Sequence, residues 1–215
     1  MFIRSGIRYD YLLYEKDKSV MEEIVKHHIS GQLKVAPEHM SDSVLKVMNK
    51  PSFSVYKQFA NKYKEINEKL QKKQFLVPYL ISSHPGCELK DAVMLTDYLK
   101  SINYMPEQVQ DFYPTPSTRS TCMYYTGIDP DTLKPVFVPK DRADKRLQRA
   151  LLQYRLPKNK DLVNKAYALC ALEKKEQKPK TSKVEKQKGA KKFIRGMEVY
   201  KKGLSSSKNG GKNKR

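Results

Sequence analysis

Tryptophan is absent from the sequence, and cysteine occurs only three times in 215 residues. Cys87, Cys122 and Cys170 lie 35 and 48 residues apart. This spacing is too wide for the close ligand pairs of a metal site and too sparse for a disulfide framework. We therefore expect reduced thiols in a cytoplasmic protein.

Long hydrophobic runs are also missing. No stretch approaches the roughly 20 apolar residues that a membrane-spanning helix needs, and the first four residues do not resemble a signal peptide. The sequence shows no glycine-rich phosphate loop and no Ser–His–Asp pattern. We expect no membrane partner, and the motifs leave the reaction open.

Acidic residues are scarce, since 43 Lys and Arg stand against 23 Asp and Glu, a net charge of +20. Residues 171–215 carry 16 basic and 4 acidic side chains. Apolar periodicity fades from residue 173 onward, so we expect a Lys-rich disordered tail over residues 173–215. Such a tail can bind RNA or DNA through the phosphates, and the alternative is a solvated tail without a partner.

Apolar runs of the kind found in buried strands are short and few. They lie at residues 2–3, 33–36 and 75–81, with a shorter candidate at 108–112. Helices are predicted at residues 19–28, 41–48, 53–70, 89–99, 145–154 and 161–172. This alternation predicts an α/β fold with a parallel sheet, either doubly wound or part of a barrel. A full eight-stranded barrel would require strands before residue 1.

Polar residues follow each predicted strand, at the strand ends where parallel α/β folds bind ligands. Arginine binds carboxylate or phosphate through two parallel hydrogen bonds, and Glu and His can accept from a ribose hydroxyl or transfer protons. The candidates are Arg4, Gly6 and Arg8, then Glu38 and His39, then Ser82, Ser83 and His84. The alternative is ordinary cap and turn chemistry, which favours the same residue types.

Several ordered stretches carry a resemblance that extends to about residue 172. They are FIRSGIRYD at residues 2–10, HH at 27–28 with LKVAPEH at 33–39, VPYLISSHPG at 77–86, QVQDFYPTP at 108–116 and MYYTG at 123–127, then more weakly residues 138–140 and 149–152. In these stretches the chain resembles the YgiQ-like radical SAM proteins.

The resemblance implies an α/β fold in which residues 1–126 are the C-terminal part of a partial (β/α) radical SAM barrel. Residues 127–172 would be a family-specific helical extension that precedes the basic tail. It also implies two cofactors, S-adenosylmethionine (SAM) and a [4Fe–4S] cluster held by a CxxxCxxC loop. That loop is absent from this sequence, and the distant Cys87 and Cys122 cannot replace it.

By position in the implied barrel, six residues are expected on the methionine- and ribose-binding side of the SAM site. They are Ser5, Arg8, Glu38, His39, Ser83 and His84. The implied partner is the missing N-terminal half of the barrel, and the substrate stays unknown. We thus expect a C-terminal fragment of a radical SAM enzyme; the alternative is a basic nucleic-acid- or anion-binding module without catalysis.

Overall fold

The structure is a computed structural model, and it describes residues 1–176, with side chains to residue 172. The predicted basic tail at residues 173–215 therefore lies almost wholly outside the described residues. Within residues 1–176 the helices are α1 (Tyr9–Tyr14), α2 (Ser19–Glu23), α3 (Asp42–Val47), α4 (Phe53–Lys69), α5 (Leu89–Ser101), α6 (Arg119–Thr126), α7 (Arg142–Leu152) and α8 (Lys160–Glu176). The strands are β1 (Gln32–Glu38), β2 (Phe75–Ser82) and β3 (Gln110–Asp111). A π-helical turn (Ile24–His28) continues α2, and a 3-10 turn (Pro157–Asn159) precedes α8.

The three strands form a parallel sheet in the order β1-β2-β3. Leu33 pairs with Leu76 and Ile81 pairs with Gln110, so each strand lies beside the one that follows it in the chain. Parallel neighbours need a crossover, and α3 with α4, then α5, supply it. The α/β prediction is confirmed.

The predicted strand at residues 2–3 is wrong. That segment forms no ladder, although the Ile3 amide donates to the His28 carbonyl at 2.8 Å. The chain meets the sheet four residues later, where Ile7 makes a single parallel bridge to Val35 of β1. An isolated bridge joins only one residue pair. The apolar Phe2 side chain lies outside it and is exposed.

The two faces of the sheet have different surroundings. Leu33 and Val35 of β1 are fully buried, and with Leu76 and Leu80 of β2 they pack against helical side chains. The opposite face of β2 carries alternate residues, of which Phe75 is 65% exposed and Tyr79 is 49% exposed. Helices therefore cover one face of the sheet and leave the other uncovered, where β2 presents apolar side chains and β1 presents Gln32 and Lys34.

Two helical clusters enclose the covered face. The first centres on α4, whose Phe59 is fully buried and whose Tyr56 makes an edge-on contact with Tyr9 of α1 at 5.7 Å. The second joins α3 and α5 to α7 and α8 through fully buried residues such as Leu151 and Ala166. α7 thus packs beside the strand ends rather than apart from the sheet.

Two further features bear on the predictions from composition. Cys87 and Cys170 are buried, Cys122 is exposed, and none of the three is joined in a disulfide. Among the helices of residues 1–176, none has both the length and the apolar character to cross a bilayer.

Candidate functional site

The carboxyl ends of the three strands open onto a shared pocket of about 470 Å³. Glu38 at the end of β1 and His84 just beyond β2 line it, so two of the six predicted residues meet there. The other lining residues are Met48, Lys50, Ile81, Gln110, Phe112, Tyr113, Thr115, Thr118 and Ser120. The third wall comes from β3 and the loop that follows it, which hold none of the six predicted residues.

The two residues predicted at the first strand end, Ser5 and Arg8, do not line this pocket. Ser5 is exposed. Arg8 forms a two-point ion pair with Asp10, through Nε at 2.9 Å and Nη2 at 2.6 Å, and its guanidinium lies 4.2 Å from the centre of the Tyr11 ring. The hydrogen bonds from Arg8 hold the pKa of the Asp10 carboxyl below its usual value. Arg8 is therefore already matched to a carboxylate of its own chain.

Glu38 ends β1 in an uncommon backbone conformation, with a φ of 65°. The β1–β2 register shifts just before it, between Val35 and Glu38, as at a β-bulge. Its Oε1 lies 3.4 Å from Lys50 Nζ. Non-glycine residues in this region are strained and cluster at ligand sites, so Glu38 is the strongest of the predicted residues.

His39 is buried and takes part in the packing below the pocket. Its Nδ1 accepts from the Ser41 amide at 3.0 Å, which places the proton of the neutral ring on Nε2, facing Cys87 Sγ at 3.6 Å. Burial lowers the pKa of His39 to about 4 and raises the pKa of the Cys87 thiol. The pair is therefore neutral at physiological pH and lacks the thiolate of a reactive cysteine.

Ser83 also adopts a left-handed backbone, with a φ of 62°, and is 1% exposed. Its amide donates to Oε1 of Gln148 at 3.0 Å, and Nε2 of the same glutamine donates to the Cys87 carbonyl at 3.0 Å. Among the described residues, no partner is found for the Ser83 hydroxyl. Gln148 of α7 thus fixes the loop after β2, while a buried hydroxyl remains unsatisfied beside the site.

His84 contacts two groups with its two ring nitrogens. Nδ1 lies 2.7 Å from the Pro85 carbonyl and Nε2 lies 2.8 Å from Ser120 Oγ. Phe112 meets the ring edge-on, with centroids 5.0 Å apart. Burial lowers the pKa of His84 to about 4, so the imidazole is neutral above that pH.

Comparison with known proteins gives long matches of high identity. The chain is 58% identical over 163 residues to a UPF0313 protein of Clostridium perfringens strain 13, and 60% identical over 166 residues to one of Clostridium botulinum strain 657. These alignments cover 76% and 77% of the chain. Its homologues are UPF0313 proteins. The UPF0313 proteins are the YgiQ-like family, so the similarity to that family is confirmed, and the radical SAM assignment stays a prediction.

The chain spans about a quarter of the length of the UPF0313 relatives it matches, 25% and 26% in these two proteins. A model described as a domain of unknown function, DUF3362, matches residues 107–192. That match includes β3, α6 and α7, and so the third wall of the pocket and Gln148. The name UPF0313, which these relatives share, states no reaction.

Several residues of this site were not predicted from the sequence, and four of them shape its geometry. Lys50, Phe112 and Ser120 line the pocket, and Gln148 accepts a hydrogen bond from the Ser83 amide beside it. Ser120 approaches His84 from 36 positions along the chain, and Gln148 approaches Ser83 from 65. Only Phe112 had a local signal, because it ends the predicted fourth strand.

Metal-binding capacity is the last property of the site. Within residues 1–176, no group of three or more His, Cys, Asp and Glu side chains is arranged to hold a metal ion. The two buried cysteines engage His39 and the α5–α8 core. The pocket lining offers hydroxyl, carboxylate, ammonium, imidazole and aromatic groups.

Proposed function

We propose that residues 1–126 form the later strands of a radical SAM barrel, and that the strand-end pocket contributes to binding S-adenosylmethionine in a longer UPF0313-type enzyme. The observation that carries the proposal is the strand order. Ile7, β1, β2 and β3 follow one another across the sheet in chain order and in parallel. A barrel wall has this order throughout, whereas a doubly wound sheet reverses its order at a switch point.

The uncovered sheet face supports the same proposal. Phe75, Val77, Tyr79 and Ile81 alternate along β2 on the side away from the helices, and Phe75 is 65% exposed. In a (β/α) barrel the inward face of each strand is apolar and is covered by the remaining strands. An apolar face of this kind fits the interior of a barrel whose other strands come from elsewhere.

The side chains at the pocket suit part of the cofactor. The Glu38 carboxylate can accept from the two hydroxyls of a ribose, and Phe112 offers an aromatic edge. Ser5, Arg8, His39 and Ser83 stay predictions as SAM contacts. The iron–sulfur cluster does not fit residues 1–176, since these residues hold no ligand group for it. Residues outside this range would have to bind the cluster that supplies the electron for SAM cleavage.

A chimera tests the proposal. The matching quarter of the Clostridium perfringens UPF0313 protein is replaced by this chain, the product is reconstituted anaerobically with iron and sulfide, and SAM affinity is measured by equilibrium dialysis. Glu38→Gln should lower the affinity about 10- to 100-fold, because a charge-assisted hydrogen bond contributes about 1.5–3 kcal/mol. Glu65→Gln, which changes an exposed carboxylate of α4, is the matched control.

The parent protein is measured beside the chimera. A parent that takes up no cluster and binds no SAM overturns the radical SAM proposal. A chimera that has the parent's cluster spectrum and SAM affinity, and keeps that affinity after Glu38→Gln, overturns the assignment of Glu38. The helical extension at residues 127–172 and a cytoplasmic location stay predictions.

A further inference from the structure

The strand-end pocket contains a serine hydroxyl held against a neutral imidazole. Ser120 Oγ lies 2.8 Å from Nε2 of His84, and the other ring nitrogen lies 2.7 Å from the Pro85 carbonyl. We infer that Ser120 is a nucleophile activated by His84, and that the pocket binds the acyl group of a carboxylic ester.

The direction of the two hydrogen bonds follows from their chemistry. A backbone carbonyl can only accept, so Nδ1 of His84 carries the ring proton and donates it to Pro85. In the neutral ring Nε2 is then an acceptor, and the Ser120 hydroxyl donates to it. A nucleophile bonded to a base, with that base oriented by a third group, is the arrangement of a serine acyl-transfer site.

The pocket walls favour an acyl group over a phosphoryl group. Met48, Ile81 and Phe112 give it apolar surface, and its two charged residues, Glu38 and Lys50, lie 3.4 Å apart as a pair. A phosphate ester would bring negative charge toward the Glu38 carboxylate. A neutral ester avoids that repulsion, and the Lys50 ammonium is the positive group that can stabilise an oxyanion.

The proposed step forms one bond and breaks one. Ser120 Oγ attacks the ester carbonyl carbon while its proton moves to Nε2 of His84. The tetrahedral adduct collapses, the bond from carbonyl carbon to alkoxy oxygen breaks, and the leaving alcohol takes that proton. Water then attacks the acyl-serine in the same way and releases the carboxylic acid. No oxidant, reductant or metal takes part.

This inference depends on side chains of the described chain alone. It does not rest on the SAM proposal, because neither cluster nor SAM enters the step. Burial gives His84 a low pKa of about 4, which makes it a weak base. We therefore expect slow chemistry that stays constant above about pH 5 and declines as the imidazole is protonated near pH 4.

A fluorophosphonate reagent tests the inference on the full 215-residue chain. Its phosphorus forms a bond to an activated serine oxygen and releases fluoride, with the serine proton passing to the base. Peptide mass spectrometry should find the adduct on Ser120 after incubation at pH 7. Ser120→Ala should abolish it, and His84→Asn should lower its rate at least about 100-fold, in the range of general-base effects.

Ser117→Ala is the matched control, since Ser117 is an exposed serine in the loop just before α6, the helix that carries Ser120. This variant should react at the wild-type rate. Circular dichroism and urea unfolding establish that each variant is folded. If His84→Asn does not fold, the decline in labelling of the wild type between pH 5 and pH 4 provides the same test, provided that circular dichroism shows the chain still folded at each pH. No adduct on Ser120, labelling that His84→Asn leaves unchanged in a folded protein, or a rate that stays constant to pH 4 would each overturn the inference.

Discussion

Gly86 follows the end of β2 with a φ of 86°. A Cβ placed there would lie 3.0 Å from Cγ2 and 3.2 Å from Cβ of Val47, the last residue of α3. Gly86→Ala should therefore strain the backbone and also push against a branched side chain. We expect the free energy of unfolding to fall by about 2–4 kcal/mol, measured by urea denaturation.

Gly31 is the control because its φ of 122° is also unfavourable for alanine, yet a Cβ there meets nothing within 4 Å. Gly31→Ala should cost only the backbone strain, about 1–2 kcal/mol. Equal losses at the two positions would show that contact with Val47 contributes nothing.

Acid should weaken the fold through the two buried histidines. Burial lowers the pKa of both His39 and His84 to about 4 in the folded chain, against an ordinary value of 6.5. Between these values the unfolded chain binds the extra protons, so stability is complete above pH 6.5 and falls toward pH 4. The expected slope is up to about 1.4 kcal/mol per pH unit for each histidine, measured by urea unfolding from pH 4.5 to 7.5.

His39→Gln keeps an acceptor for the Ser41 amide and removes one titrating group. Its unfolding free energy should depend less steeply on pH than that of the wild type. The expectation fails if the wild type and His39→Gln have parallel pH profiles.

At the level of single residues, the sequence predicted part of the site. Glu38 and His84 follow apolar runs, and a strand end is a local feature that a pattern can locate. His39 follows the same run as Glu38 but is only 1% exposed, and its ring accepts a hydrogen bond from the amide of Ser41. Ser120 has no such signal, since its contact with His84 exists only after the sheet has formed.

α7 is tied to the sheet by one buried polar side chain. Gln148 accepts from the Ser83 amide and donates to the Cys87 carbonyl, each at 3.0 Å, and it is 1% exposed. Gln148→Met should leave both backbone groups without a partner and lower the unfolding free energy by about 2–4 kcal/mol. Hydrogen exchange at the Ser83 amide should accelerate as well, read by NMR or mass spectrometry.

Gln153 gives a control of the same residue type, just beyond the end of α7. It is only partly buried and donates one bond to the Glu107 carbonyl at 2.9 Å. Gln153→Met should cost less than about 1 kcal/mol and leave exchange at Ser83 unchanged. A Gln148 variant as stable as the Gln153 variant would show that the two Gln148 hydrogen bonds add no measurable stability.

Most helices with long apolar periodicity were predictable. α4, α5, α7 and α8 lie within a few residues of the predicted spans. Neither α1 nor α6 was predicted, because these helices have six and eight residues and so present few turns of periodic pattern. Their positions come from tertiary contacts, such as Tyr9 of α1 against α4.

Strand order is a property of the whole molecule that alternation alone left undecided. The same β and α segments fit a doubly wound sheet or a barrel, because local periodicity does not specify which strands become neighbours. The order from Ile7 through β3 and the one-sided covering by helices favour the barrel. From the sequence alone, only the family resemblance favoured a barrel over a doubly wound sheet, and the residue patterns were compatible with both.

The uncovered face of β2 should make the isolated chain self-associate. Phe75 and Tyr79, which are 65% and 49% exposed, belong to one apolar face, and removing such area from water is favourable. Sedimentation velocity should show association that increases with concentration and is suppressed by Phe75→Ser with Tyr79→Ser. The control pair is Tyr14→Ser with Tyr125→Ser, which changes aromatics 63% and 68% exposed on α1 and α6. If both pairs change association equally, general surface hydrophobicity is the cause. The uncovered face of β2 would then no longer support an incomplete barrel.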